Sequence, residues 1–164
     1  MLKVETAFRL LASHIAVGGL LLLLLLALLT LFDGLLRAFA NYPLNLVREV
    51  GDLVAAFAGT CCLPIVLLER GNIVLRILDG VLSMFLVRVI DLINAILIFI
   101  VLSGMAIQFW LYSFKTMKAG EITWLLNIPK APFWFAVDGV LWISVAIQMV
   151  LLTQAVTSLR NAQS

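Results

Sequence analysis

The sequence predicts an all-α membrane protein with four transmembrane helices. Of its 164 residues, 64% are hydrophobic and only 12% are charged, and the mean hydropathy is +1.17. A spanning helix needs about 20 mostly apolar residues, and four stretches meet that requirement: residues 10–32, 50–68, 81–112 and 133–156. Because a backbone inside hydrocarbon must satisfy its own hydrogen bonds, we expect helices rather than strands. The segments between them are too short to form a soluble domain, so residues 1–164 form one membrane domain.

The first span could be mistaken for a signal peptide. Lys3 and Arg9 precede it, and "AFA" at 38–40 resembles a cleavage site with its small residues. However, the apolar region of a signal peptide is about 7 to 15 residues long, whereas residues 10–32 contain only three polar side chains. We therefore expect this segment to remain in the protein as a transmembrane helix.

The connection between the second and third spans has a pattern of its own. Asn72, Arg76, Asp79 and Ser83 recur at three- and four-residue spacing, with aliphatic residues on the other side. This pattern predicts an amphipathic helix that lies in the membrane interface. An early start of the third helix accounts for the same pattern equally well.

Several classes of function lack the residues that they need. The net charge is only +2 and the basic residues are scattered, which argues against nucleic-acid binding. A single histidine, His14, cannot supply the ligands of a haem or a metal site within one chain. The sequence also shows no catalytic triad and no paired carboxylates. We therefore predict no catalytic, metal or substrate-binding residue and no cofactor, and the chain is not expected to be an enzyme.

The two cysteines raise the alternative of a membrane thiol oxidoreductase. That class needs two separable cysteine pairs near an aqueous face, whereas Cys61 and Cys62 are adjacent inside an apolar run. We interpret both as packing residues.

Ionisable side chains near the apolar runs are the main candidates for function, because charge at bilayer depth is costly. Asp33 and Arg37 are four residues apart and can pair along one helix face. Asp138 has no basic residue within one helical turn, so we expect its partner on another subunit, with a proton relay as the alternative. The subunit-interface candidates are Asp33, Arg37, Arg48, Glu49, Asp52, Arg88, Asp91 and Asp138.

Aromatic residues flank the last connection. Pro129 and Pro132 favour an extended chain that re-enters the membrane, with Pro132 in the first turn of the fourth helix. Large amphipathic rings favour the depth of the lipid headgroups. The predicted membrane-interface anchors are Trp110, Tyr112, Trp124 and Trp134.

Three short motifs in this order resemble a known family. The first is "LLRAFANYPLNLVREVGDL" (35–53), in which the acid Glu49 opens the second helix. The second is "FAGTCCLPIVLLERGNI" (57–73), which ends in an Arg-Gly step, and the third is "TWLLNIPKAPFWF" (123–135), with an Ile-Pro step and aromatics. Together they resemble the small membrane subunit, of DctQ type, of the tripartite ATP-independent periplasmic (TRAP) transporters. The chain departs from the family pattern after Gly71, where Asn72 and Arg76 stand in place of a histidine and an acid.

The resemblance implies a subunit of a sodium-coupled uptake system for organic acids, in the bacterial inner membrane. Its implied partners are a large membrane subunit, which carries the substrate and moves as an elevator, and, transiently, a periplasmic substrate-binding protein. The small subunit would brace the fixed part of the large one and bind no substrate. The alternative is a stand-alone homo-oligomeric four-helix exporter.

The side of the membrane on which the termini lie is a separate prediction. An even number of spans places both termini on one side, and Lys3 and Arg9 favour the cytoplasm. The remaining basic residues are divided almost equally between the two faces. We therefore expect cytoplasmic termini because of the basic residues that precede the first span.

Overall fold

The computed structural model describes residues 2–42, 45–69, 84–124 and 126–160. Helix α1 covers Leu2–Ala40, α2 covers Asn45–Cys61, α3 covers Met84–Ala119 and α4 covers Ala131–Arg160. A helical segment over residues 63–69 continues the direction of the chain after α2. Four helices of this part of the chain are long and apolar enough to cross a membrane, counting α2 and residues 63–69 as one span. The predicted fold class is confirmed.

The helices extend beyond the predicted spans. α1 has 39 residues and α3 has 36, which corresponds to roughly 58 and 54 Å at 1.5 Å per residue. Both lengths exceed the roughly 30 Å thickness of the hydrocarbon core, so these helices tilt or project into the headgroup regions. The predicted interfacial helix, with Asn72, Arg76 and Asp79, lies outside the described residues.

The second span is interrupted at Cys62, and Pro64 supplies the reason. Proline has no N–H, and its ring clashes with the carbonyl four residues earlier, here that of Thr60. The chain responds with a tighter turn, in which the Cys62 N–H donates to the Gly59 carbonyl oxygen at 3.2 Å. The α-helical pattern then resumes, because the Val66 N–H donates to Cys62.

Two of the helices end in left-handed caps. After α3, Gly120 adopts φ 63°, its N–H donates to Met117, and the N–H of Glu121 donates to Thr116. These two bonds define a Schellman motif, for which glycine is favoured because it has no Cβ. Asn41 has φ 51° after α1, and Tyr42 donates back to Leu36.

The connection between α3 and α4 is a small hairpin rather than a simple extended strand. Ile122 and Pro129 form an antiparallel bridge, and the Lys130 N–H donates to the carbonyl of Glu121. Thr123 is buried and closes the turn, because its hydroxyl oxygen accepts a bond from the Ile128 N–H at 3.0 Å. α4 begins at Ala131, which places Pro132 in the first turn, as predicted.

The helices form an open row in the order α1, α2, α4, α3. α1 packs against α2, α2 packs against α4, and α4 packs against α3. Among the described helices, each of the outer ones, α1 and α3, therefore has one main neighbour. The buried apolar core lies between the helices and includes Ala12 of α1, Leu102 of α3, and Leu141 and Ile147 of α4.

Along their axes the helices have two common ends, which we name the hairpin end and the terminal end. At the hairpin end, the beginning of α2 meets the 120–130 connection through Glu49 and Leu126. At the terminal end, the first turns of α3 meet the last turns of α4 through Arg88 and Ser158. The beginning of α1 lies at this same end, because Phe8 lines a small cavity together with Gln154 of α4.

Candidate subunit-interaction site

The contact between α1 and α2 depends on close approach of the two backbones. A Cβ added to Gly19 would lie 2.5 Å from the Cβ of Cys61 and 2.8 Å from the carbonyl oxygen of Ala58. Small residues allow membrane helices to approach in this way. Ala58 is fully buried, whereas Ala55 and Gly59 of the same helix are exposed. The small residues of α2 therefore serve packing within the chain on one side and leave the other side open.

The contact between α3 and α4 is held by polar groups instead. The side-chain amide of Gln148 is buried in α4, and its Nε2 donates to the carbonyl oxygen of Ala95 in α3 at 3.0 Å. Near the terminal end, the Arg88 guanidinium donates to the carbonyl oxygen of Ser158 at 3.1 Å. The sequence did not predict either bond, because hydropathy does not show which helices are neighbours.

Aromatic rings extend this contact toward the hairpin end. Trp134 of α4 lies with its ring centroid 5.9 Å from that of Phe109 and 5.3 Å from that of Tyr112. Phe135 makes edge-on contacts with the rings of Trp110 and Phe114. Such tilted and edge-on pairs are the favoured geometries of aromatic side chains.

The predicted anchors fall into different environments. Trp124, at the tip of the hairpin, is 94% exposed, and Trp110 and Tyr112 are partly exposed on α3. Trp134 instead packs on the apolar core, and its buried indole nitrogen has no hydrogen-bond partner in the part of the chain that the structure describes. For Trp134 the structure therefore adds a packing role between α3 and α4, while anchoring of all four residues stays a prediction.

Asp138 lies inside the packed helices. It is 1% exposed, and its Oδ1 has no hydrogen-bond partner among the described residues. A buried acid at bilayer depth is costly unless it is paired. Pairing of Asp138 with another subunit would require a partner group that enters the packed interior.

Other predicted interface residues have partners within the chain. Arg37 and Asp33 form the expected ion pair at 3.2 Å, in which Arg37 remains 54% exposed. The Glu49 carboxylate accepts a hydrogen bond from the Leu126 N–H at 3.0 Å, which ties α2 to the hairpin. The sequence placed Glu49 at a helix start but could not predict this contact, which joins residues 77 positions apart.

The remaining members of that set are less enclosed or less fully described. Asp52 is exposed on α2, and Asp91 is half-buried on α3 with an interaction of its own. The side chain of Arg48 lies outside the described residues. The charged candidates thus do not converge on one site: Asp33, Arg37 and Glu49 lie toward the hairpin end and Arg88 lies at the terminal end.

Sites for small molecules are not prominent in the part of the chain that the structure describes. Its residues contain no group of three or more His, Cys, Asp and Glu side chains that could hold a metal. His14 is exposed, and its Nδ1 donates to the carbonyl of Leu10 at 2.7 Å. A cavity of about 10 Å³ is lined by apolar side chains and Gln154. Cys61 is buried and Cys62 is half-buried, and both are free thiols.

The largest available surfaces are the outer sides of α1 and α3. In the most apolar stretch of each of these helices only 11% of the residues are buried, against 44% in α4. These sides are lined by exposed aliphatic residues, among them Leu21 at 60% and Val101 at 59% exposed. The arrangement suits contact with lipid and with helices of another subunit.

Comparison with known proteins identifies the family. No curated protein and no solved structure matches the chain. The family model described as "Tripartite ATP-independent periplasmic transporters, DctQ component" matches residues 26–161, which include α2, α3, α4 and the part of α1 from residue 26 onward. The match covers most of the chain and agrees with its four apolar helices. This protein therefore belongs to the DctQ family, the small membrane component of the tripartite ATP-independent periplasmic transporters.

Proposed function

We propose that this chain braces the fixed scaffold of the large, elevator-type subunit of a sodium-coupled TRAP transporter for organic acids, and that it binds no substrate itself. The observation that carries the proposal is the open row of helices. Two outer helices with one main neighbour each provide broad apolar faces for a larger membrane protein.

The lengths of the helices support a bracing role. An elevator moves one part of a transporter past a part that must stay fixed in the bilayer. Helices of 36 and 39 residues project into both headgroup regions, where polar and aromatic residues resist displacement along the membrane normal. The polar contacts between α3 and α4 keep this frame rigid.

Charged groups on the outside of the row are the proposed polar contacts with the large subunit. Arg37 and Asp52 are exposed toward the hairpin end. Arg37 pairs with Asp33 within the chain but remains 54% exposed, so its outer side is available to groups on the large subunit, as is Asp52.

The proposed location is the bacterial inner membrane, with both termini in the cytoplasm. The beginning of α1 and the end of α4 lie at the same end of the row, and Lys3 and Arg9 favour the cytoplasmic side. The hairpin end, with the exposed Trp124, would then face the periplasm, where the substrate-binding protein docks transiently.

Reconstitution tests the function directly. The chain should co-purify with the large subunit encoded beside it, and sodium-driven uptake into vesicles should require both chains and the binding protein. This chain alone should transport nothing. Isolation as a homo-oligomer that by itself moves a cation or a solute would contradict the proposal and favour the exporter alternative.

A further inference from the structure

One line of residues along the outer side of α3 differs from an ordinary lipid-facing surface. Its members recur at alternating spacings of three and four, and all are exposed. This periodicity is that of a helix face that packs against another helix. We name it the α3 outer stripe, and its members are Asn94, Leu97, Val101, Gly104, Gln108, Leu111 and Lys115.

Gln108 is the member that lipid accommodates least well. Residues 92–114 carry no charge, and at 1.5 Å per residue they span about 34 Å, close to the thickness of the hydrocarbon core. Gln108 lies within this stretch, about 8 Å from its midpoint along the helix axis. A carboxamide at that depth needs hydrogen-bond partners, because hydrocarbon offers none.

The described part of the chain does not supply these partners. The hydrogen bonds formed among the described residues do not include the Gln108 side chain. Gln148, by contrast, is turned inward and donates to Ala95. The protein therefore satisfies Gln148 internally and presents Gln108 to the outside.

The neighbours of Gln108 define what can bind there. Gly104, one turn away, has nothing within 4 Å of an added Cβ, so a second backbone can approach closely at that level. Leu97, Val101 and Leu111 provide exposed apolar contact on either side. The face thus suits a transmembrane helix that offers a hydrogen-bonding group level with Gln108.

Charge argues against a second copy of this chain as the occupant. In a two-fold symmetric pair that meets through this stripe, each residue near the axis faces its own copy. Lys115 would then lie beside Lys115 of the other copy, and like charges in close contact are destabilising. A different subunit with an acidic group near the headgroups at this end is the complementary partner.

We propose that the α3 outer stripe is the docking surface for a transmembrane helix of the large TRAP subunit, with Gln108 hydrogen-bonded across the interface and Gly104 at the point of closest approach. The inference rests on the proposed function, since it assumes that a large subunit is bound. To that function it adds which face of this chain contacts the large subunit and which kind of group the large subunit presents there.

Site-specific photo-crosslinking in the intact complex tests the placement. Gln108→benzoylphenylalanine, in a chain co-expressed with the large subunit, should give an adduct with that subunit on irradiation of membranes. Ile107→benzoylphenylalanine is the matched control, because Ile107 is 51% exposed at the same depth but points about 100° away. We expect at least fivefold more adduct from position 108.

Each other outcome overturns the proposal in a recognisable way. An adduct of twice the 18.1 kDa chain mass would identify a second copy as the occupant, and equal yields of the large-subunit adduct at both positions would show that the stripe is not the preferred contact. If the wild-type chain co-purifies with the large subunit but position 108 gives no adduct, only the stripe is wrong. If the wild-type chain does not co-purify at all, the proposed function is wrong.

Substitution of Gly104 provides a second, independent test. Gly104→Leu fills the space at the closest approach and should reduce recovery of the large subunit at least tenfold, while thermal unfolding of the isolated chain is unchanged. Gly139→Leu is the control, since Gly139 of α4 is likewise exposed with open space around it. Unchanged recovery with Gly104→Leu, or an equal loss with Gly139→Leu, would contradict the proposal.

Discussion

The two helix pairs of this protein are held together by different physical means. α1 and α2 meet through Gly19 and Ala58, where the backbones almost touch, whereas α3 and α4 meet through Gln148, Arg88 and a set of aromatic rings. In a membrane, apolar burial hardly favours one helix neighbour over lipid, so close packing and hydrogen bonds must provide the selectivity. Each pair uses mainly one of these two means.

The difference affects how each pair responds to mutation. Where two backbones are in direct contact, no flexible side chain can rotate to make room. Added volume on either helix therefore separates the two helices. A contact made by side-chain hydrogen bonds loses only the net value of the bond when one partner is removed. We therefore expect the α1–α2 contact to fail abruptly and the α3–α4 contact to weaken gradually.

The largest effect is expected for Gly19→Leu. The Cβ of the new side chain alone would lie 2.8 Å from the backbone carbonyl oxygen of Ala58. Because this oxygen is part of helix α2, it cannot move away unless the helix moves. We expect a loss of about 3 kcal/mol or more in the free energy of unfolding, measured by SDS titration of the chain in micelles. Gly18→Leu is the control, because nothing lies within 4 Å of its added Cβ. Equal losses in both variants would show that the close approach is not what holds α1 to α2.

A smaller loss is expected for Gln148→Leu. The variant removes the bond to Ala95 and leaves an apolar side chain of similar volume in its place, and intramembrane hydrogen bonds between helices contribute about 0.6 to 1.7 kcal/mol. The same titration should show a loss in that range.

Gln108→Leu is the matched comparison for this variant. Because Gln108 is exposed and bonds to no described residue, its replacement should leave the stability of the isolated chain unchanged and should reduce recovery of the large subunit severalfold. If Gln108→Leu destabilises the isolated chain as much as Gln148→Leu does, the distinction between an inward and an outward glutamine is wrong.

These pairings mark the limit of what the sequence could predict. Four spans, their helical nature and the family followed from hydropathy and from the motifs around Arg37, Pro64 and Pro132. The predicted spans are shorter than helices α1 and α4, because hydropathy reports the hydrocarbon part of a helix and not its continuation beyond it, as at Leu2 and Arg160.

The order of the helices in the row could not be read from the sequence. Hydropathy gives the depth of a residue but not the direction in which it faces, so Gln108 and Gln148 are equivalent in the sequence and opposite in the structure. The direction in which Asp138 faces was likewise not predictable, because sequence spacing alone could not place this residue inside the packed helices. Only the packing of α3 on α4 separates buried polar groups from outward ones.

The smallest effect is expected for Asp138→Asn, which tests whether the polar interior of the second pair has a role in transport. Asparagine keeps the shape of the side chain, so the free energy of unfolding should change by less than about 1 kcal/mol. Sodium-driven uptake by the reconstituted complex should also persist, since a bracing subunit needs no ionisable group inside it.

Asp138→Leu separates the role of shape from the role of charge. Leucine changes the branching of a fully buried side chain and should destabilise the chain by about 1 to 3 kcal/mol. Loss of activity in this variant alone would therefore follow from misfolding. Loss of uptake in Asp138→Asn, with assembly and stability intact, would instead show that the acid itself takes part in ion or proton movement. In that case the α3–α4 pair would take part directly in transport, and the two helix pairs would differ in function as well as in packing.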